Sequence, residues 1–300
     1  LVVLPVALIT SAILLYTPDA SRSALEARYL ESPAHLRTIA GTTVHVRDNG
    51  PRDAPALILL HGMGASLHTW EPWARALADS FRVIRFDLPG HGLTPVDPTG
   101  DYRDTRSHEI LAALMDTLGV ARATLIGNSM GGRIAWSFAA EQPERVEKLV
   151  LISPDGFASP GFAYNTPAEV PASMGLMRYV LPRWMLRMTL APAYADPAVM
   201  TDSLAARYHD FLIAPGARVA MLDRMRQTVL TDPVPQLRSI QAETLLLWGE
   251  MDAMIPIRNA QDYLDAMPNA RLVRLPGLGH LPFEEAPGEA LPPLRGFLKE

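Results

Sequence analysis

A serine set between two glycines at the end of an apolar run constrains this chain more than any other stretch in it. Residues 121–136 read ARATLIGNSMGGRIAW, with a short apolar run at 123–126, then Gly127-Asn128-Ser129-Met130-Gly131, then an alternating apolar pattern from Ile134. That is a strand, a sharp turn and a helix, with Ser129 at the apex. The flanking glycines are needed because so tight a turn brings neighbouring backbone too close for a Cβ. A G-x-S-x-G pattern alone is weak evidence. The strand that feeds the turn and the helix that leaves it give it weight. The plainer reading is a glycine-rich strand-to-helix turn with an incidental serine, and the rest of the chain decides between the two.

Strand and helix patterns alternate along most of the sequence. Residues 35–40 and 43–47, split by Gly41, look like an antiparallel hairpin. The continuous apolar run 57–60 suits a strand buried on both faces, and it enters His61-Gly62-Met63-Gly64. A helix over 67–79 and a strand over 82–86 follow, the latter stopped by Asp87-Leu88-Pro89-Gly90-His91-Gly92. Ile110, Leu111, Leu114, Met115 and Leu118 carry the spacing of an amphipathic helix over 101–118. Beyond the serine turn, its helix runs to Gln142 and a strand covers 146–152.

At Ser153 this rhythm breaks. Residues 154–240 are rich in Pro, Met and aromatic side chains, with helical pieces near 174–188, 197–211 and 217–229 and no strand pattern. The sheet resumes at 244–248, followed by Gly249-Glu250-Met251-Asp252, a helix over 257–267, a strand over 271–275, Gly277-Leu278-Gly279-His280 and a last helix to about 298. The expectation is an α/β protein with a mostly parallel, doubly wound sheet. Its core would comprise 35–153 and 241–300, with an inserted helical cap at 154–240 and a connecting helix or linker at 19–34.

With 300 residues, 48% of them hydrophobic, the chain can build one large core. A net charge of −5 without a long basic run argues against nucleic acid as a partner. The absence of cysteine excludes disulfides, thiol catalysis and Cys-ligated zinc. His35, His45, His68, His108 and His209 show no metal-ligand spacing, and His91 reads as structural. Residues 1–18, LVVLPVALITSAILLYTP, carry no charge and stop at Asp19. As a helix, 1–16 would cover about 24 Å, slightly short of a bilayer core. The expectation is a membrane anchor, in a bacterial inner membrane. A signal segment whose removal leaves the protein periplasmic or secreted is the competitor, although Pro18-Asp19-Ala20-Ser21-Arg22 makes a poor cleavage site.

A serine hydroxyl is a poor nucleophile, so it needs a base, and the base needs an orienting acid. Functional groups of open parallel sheets collect at the carboxyl ends of the strands. Ser129, Asp252 and His280 lie there, in the chain order serine, acid, histidine. Glu250 is the rival acid, and Asp252 is preferred because it sits further into its loop on a shorter side chain. Asp252 could also serve merely as a helix cap, and His280 as an exposed loop histidine. A tetrahedral oxyanion needs two backbone N–H donors. Met130, opening the helix, would supply one and Met63 the other, with Gly62 and Gly64 letting the loop come close.

With these residues in place, the chain resembles the α/β-hydrolase superfamily from about residue 35 to 298. The motifs that carry the resemblance are HGMG (61–64), DLPGHG (87–92), GNSMGG (127–132), WGEMD (248–252) and GLGH (277–280). It implies a cap after the sixth strand and a pocket between cap and sheet. Ser129 stands where epoxide hydrolases and haloalkane dehalogenases carry an aspartate, which speaks against those branches. GNSMGG looks like the meta-cleavage-product hydrolases, which cut C–C bonds. Those carry a Gly-Pro-Gly-type oxyanion loop and a Trp after the histidine, where this chain has HGMGAS and His280-Leu281-Pro282. An apolar leader before a capped hydrolase is also similar to membrane-anchored monoacylglycerol lipases and related esterases.

The resulting expectation is a carboxylesterase or lipase-type serine hydrolase. It would take small esters of short to medium acyl length, monoacylglycerols among them, without metal or organic cofactor. The alternatives are C–C hydrolysis of a dienoate with the same triad and a non-catalytic ligand receptor on the same scaffold. The cap adds Met174, Leu176, Met177, Tyr179, Leu181, Trp184, Met185, Leu186, Met188 and Leu190; much of this set is ordinary packing, and some of it should face the cleft as an adaptable acyl-binding wall.

Overall fold

The hairpin at the edge of the sheet consists of β1 (Leu36–Ile39) and β2 (Thr42–Asn49), antiparallel, with Leu36 opposite His45. The computed structural model describes residues 15–159 and 162–300. Six more strands follow: β3 (Ala56–Leu60), β4 (Arg82–Phe86), β5 (Ala123–Asn128), β6 (Val146–Ile152), β7 (Glu243–Gly249) and β8 (Ala270–Leu275). They form one eight-stranded sheet in the order β1-β2-β4-β3-β5-β6-β7-β8. β2 pairs antiparallel with β4, and the pairs from β4 through to β8 are parallel.

The chain winds outward from β3 to β4 and then returns to the other side of β3 to lay down β5. The order therefore reverses between β3 and β5, and the crevice beyond their carboxyl ends is where such sheets place a ligand. Ser129 follows β5 and the His61–Gly64 stretch follows β3, so both flank that crevice.

Helices cover both faces, which is why the central strands read as unbroken apolar runs. Alternate residues serve the two sides. Ile58, Leu60, Ile84, Phe86 and Leu125 pack with Ile134 and Phe138 on one face. Leu57, Leu59, Val83, Ile126 and Val150 pack with Trp70, Trp73, Phe283 and Phe297 on the other. The helix Met130–Glu141 is buried along nearly its whole length. Arg133, buried within it, is paired with Asp104 and with Asp155 at 3.2 Å.

Between β6 and β7 the described residues add no strand to the sheet. They form the helices Arg183–Leu190, Asp202–Leu212, Ala217–Gln227 and Val234–Ser239, after a 3₁₀ stretch at Ala172–Arg178. The connecting segment before β1 contains a helix, Arg22–Tyr29, capped by the Ser21 side chain. That helix is fastened to this insertion. Asp210 accepts from Arg28 at 2.6 Å and from the Tyr29 hydroxyl at 2.8 Å, and Leu25 packs beside Phe211.

Residues 1–14 of the expected membrane segment lie outside the described residues. Among the described residues no helix is long and apolar enough to cross a membrane. Ahead of the helix Arg22–Tyr29, Tyr16 bridges Val180 and the Thr17 N–H donates to the Tyr179 carbonyl at 2.7 Å.

Candidate active site

Ser129 sits at φ 53° and ψ −121°, a backbone conformation that L-residues rarely adopt. Such a residue costs about 1–3 kcal/mol and persists only where its surroundings over-determine it. Here the end of β6 does so. The Ser129 N–H donates to the Ile152 carbonyl at 3.1 Å, and its carbonyl accepts from Asp155 at 3.1 Å and Arg133 at 3.0 Å. The two flanking glycines are required by contact. A Cβ on Gly127 would lie 2.3 Å from the Gly131 carbonyl oxygen, and one on Gly131 would lie 2.3 Å from that of Leu60.

The loop after β3 runs against the serine. A Cβ on Gly62 would stand 3.3 Å from the Cβ of Ser129 and 3.0 Å from Oδ1 of Asn128. Met63, partly buried, follows directly, and Met130 is the first residue of the helix after Ser129. Its N–H is among the four that a helix leaves without an internal acceptor.

His61 fixes the course of this loop. Its Nε2 accepts from the Leu88 N–H at 3.1 Å, which leaves Nδ1 as the protonated nitrogen, facing the Gly62 carbonyl at 2.8 Å. Burial lowers its affinity for a second proton, so the neutral tautomer persists. Asp87 holds the far end, accepting from the Leu67 N–H at 2.6 Å, the Leu93 N–H at 2.9 Å and His45 Nδ1 at 2.7 Å. Burial opposes its charge, but the His45 hydrogen bond and neighbouring imidazoles keep its carboxyl well below the usual range. His91, buried beside His61 with ring centroids 5.1 Å apart, faces the Pro89 carbonyl with Nδ1 and takes a structural place.

Of the two candidate acids, the structure brings Asp252 to the histidine. Asp252 Oδ2 lies 2.7 Å from His280 Nδ1, with both residues buried. The other carboxylate oxygen accepts from the N–H groups of Met254 and Ile255, each at 2.8 Å. With Nδ1 donating to the carboxylate, Nε2 becomes the basic nitrogen of the ring. Glu250 is exposed.

Three contacts that the sequence did not disclose hold the histidine loop. The Asn128 side-chain amide donates to the carbonyls of Ile152 and His280, at 3.1 Å each. Glu285 accepts from the Gly279 N–H at 2.7 Å. Phe283 stacks on Trp70 with centroids 4.0 Å apart, pinning the short helix Pro282–Glu285 just beyond His280. Asn128 lay in plain view inside GNSMGG. Its partner is remote in sequence, so only the fold reveals the contact.

The insertion meets the 62–65 loop through only some of its apolar side chains. Leu186 and Tyr208 pack on Ala65, and a Cβ on Gly64 would stand 3.9 Å from Leu212. Leu176, Tyr179, Trp184 and Met188 are exposed instead. Helical spacing shows which residues share a face, but the tertiary packing decides which face turns inward. Among the described residues no group of three or more His, Asp or Glu is placed to hold a metal ion.

A family model described as the alpha/beta hydrolase fold matches residues 55–287, more than half of the chain. The 2-hydroxy-6-oxo-6-phenylhexa-2,4-dienoate hydrolase of Burkholderia cepacia is 30% identical over 246 residues, 79% of this chain and 84% of that protein. The crystal structure of a meta-cleavage product hydrolase matches with a TM-score of 0.75 at 25% identity, covering 88% of this chain and 97% of the other. That of a bacterial membrane phospholipase A matches with a TM-score of 0.75 at 25% identity, covering 99% of this chain and 96% of the other. Strand order, serine turn and matched length agree, and the chain belongs to the α/β-hydrolase family.

Proposed function

We propose that this hydrolase cleaves carboxylic esters of short to medium acyl length, monoacylglycerols among them, through an acyl-enzyme on Ser129. The observation that carries the reading is the pairing of His280 with Asp252 at 2.7 Å, with Asn128, the residue before the strained Ser129, donating to the His280 carbonyl at 3.1 Å. His280 Nε2 takes the proton of the Ser129 hydroxyl as the oxygen attacks the ester carbonyl. Asp252 keeps Nε2 in its basic form and stabilises the imidazolium. The N–H groups of Met63 and Met130 receive the oxyanion, and the Met130 donor gains from the helix dipole. The imidazolium then protonates the departing alkoxide. Water, deprotonated by the same nitrogen, releases the acid.

Two observations favour esters over dienoates. A buried leucine, Leu281, follows the histidine, and Leu186 and Leu212 line the approach to the 62–65 loop with aliphatic surface. In structure, the membrane phospholipase A matches 99% of this chain and the meta-cleavage product hydrolase 88%, at the same TM-score. C–C hydrolysis is the second reading, supported by the name of that relative, and it uses the same three residues. The test is kcat/KM for a butyrate or caprylate ester against a meta-cleavage dienoate on one preparation. A higher value for the ester is expected, and a higher value for the dienoate would make C–C hydrolysis the function.

We further propose that residues 1–18, which are uncharged, anchor the chain to a membrane. Flotation of the full chain with lipid vesicles tests this.

A further inference from the structure

We propose that the outer face of the helix Arg183–Leu190, together with Leu176 and Tyr179, lies on the lipid bilayer, so that the cap and not only the leader contacts the membrane. The inference rests on the reading of residues 1–18 as a membrane segment, and it adds which surface of the folded domain meets the lipid.

Four large apolar side chains of this region stand unusually open to solvent: Leu176 at 64%, Tyr179 at 58%, Trp184 at 56% and Met188 at 69%. Trp184 and Met188 are four residues apart on one helix and so share its outer face. Leu186 points the other way, into the cluster with Ala65 and Tyr208. The helix turns Leu186 inward and presents Trp184 and Met188 to solvent beside Arg183 and Thr189, so its outer face is apolar with a basic flank. Trp and Tyr are the residues that settle at the boundary between headgroups and acyl chains.

The course of the chain says what covers this face. Residues 1–14, all uncharged, lead into Leu15 and Tyr16, themselves 39% and 58% exposed. Tyr16 then bridges Val180, Thr17 donates to the Tyr179 carbonyl at 2.7 Å, and the Leu181 N–H donates to Thr17 Oγ1 at 3.0 Å. The apolar leader therefore joins the domain at the exposed patch, between its 3₁₀ stretch and its helix. A leader held in lipid brings this face to the bilayer surface. The Leu186 side of the same helix then lies one side-chain layer from the candidate oxyanion loop, so a lipid ester would reach the site from the membrane.

Trp184 supplies the test. The chain has five tryptophans, and Trp70, Trp73, Trp136 and Trp248 are between 0% and 4% exposed. Quenching of tryptophan emission from outside the domain therefore reports on Trp184. The full chain is reconstituted in phosphatidylcholine vesicles, with and without bromine on the acyl chains, and its flotation is recorded beside its fluorescence. The expected result is co-flotation, loss of a substantial part of the emission with brominated lipid, shielding from aqueous acrylamide, and disappearance of the bromine effect in Trp184→Phe. Co-flotation with Trp184 open to acrylamide and untouched by bromine would overturn the docking of the cap while leaving the anchor standing. Shielding from acrylamide without bromine quenching would also overturn it, since the patch is then covered by protein, either a second copy or residues 1–14. Failure to float would overturn both readings.

Discussion

The side-chain amide of Asn128 donates to the backbone carbonyl of His280 at 3.1 Å, tying the residue before the serine to the loop that carries the proposed base. The same amide donates to Ile152 at 3.1 Å, so Asn128 joins the ends of β5 and β6 to the histidine loop. Asn128 is thus a positioning residue.

Asn128→Ala should lower kcat by about 10-fold or more with little change in KM, because small displacements of a catalytic group are costly. Asn128→Asp should be worse at nearly equal volume, since a carboxylate would face two carbonyl oxygens with nothing to donate. Steady-state kinetics on a soluble ester check this. Equal activity in the aspartate variant would show that the hydrogen bonds do not position the loop.

Glu284 forms the other fastening. Its carboxylate accepts from the hydroxyls of Tyr194 and Tyr208, at 2.8 Å each, and pairs with Arg207, joining the helix after His280 to the cap. Burial, and after it the nearby negative charge, raises the proton affinity of both phenols, so they remain donors. Glu284→Ala strands a guanidinium and two phenols, and breaking a buried pair costs about 3–5 kcal/mol. Urea unfolding should show a loss of that order, with a smaller loss in Glu284→Gln, which keeps an acceptor. A loss below about 1 kcal/mol, the worth of an exposed pair, would contradict the account.

Much of this was legible in the sequence, and the reason is local. The serine turn, the apolar runs of β3 to β7 and the Asp252 and His280 loops each depend on residues adjacent in the chain. Contacts between distant segments were not legible. Nothing in GNSMGG says that Asn128 meets the carbonyl of His280, and nothing near Glu284 points to Tyr194. Which of the cap side chains turn inward was not legible for a related reason. Met185, Leu186 and Met188 are equally apolar in the sequence, and only packing against Ala65 distinguishes Leu186 as inward. The fastening of the connecting segment 19–34 was not legible either, because its anchors, Asp210 and Arg218, lie far along the chain.

Acid should expose the charge cluster beneath β2 and β4. Glu71 accepts from Arg85 at 2.6 Å, Arg75 at 2.8 Å and Arg47 at 3.0 Å. Burial alone would raise its carboxyl, but these guanidinium groups outweigh it and hold it at about 2, against an ordinary 4.5. A carboxyl lowered on folding adds stability above its ordinary value, and that stability is lost as pH falls through the folded one. Glu71→Gln should therefore be less stable than the wild type at neutral pH, with the gap closing between about 4.5 and about 2. Urea unfolding across that range checks it, and a gap independent of pH would contradict the assignment.

The central claim is an acyl-enzyme on Ser129, and it can be weighed directly. The protein is mixed with excess nitrophenyl butyrate, quenched in acid within milliseconds and digested, and its peptides are weighed by mass spectrometry. The account predicts the added mass of one butyryl group on the peptide carrying Ser129, and none in Ser129→Ala. It also predicts a fall in turnover of about 10³-fold or more in that variant, as for other serine triads. A butyryl group on another residue, or more than a tenth of wild-type turnover in Ser129→Ala, would contradict it.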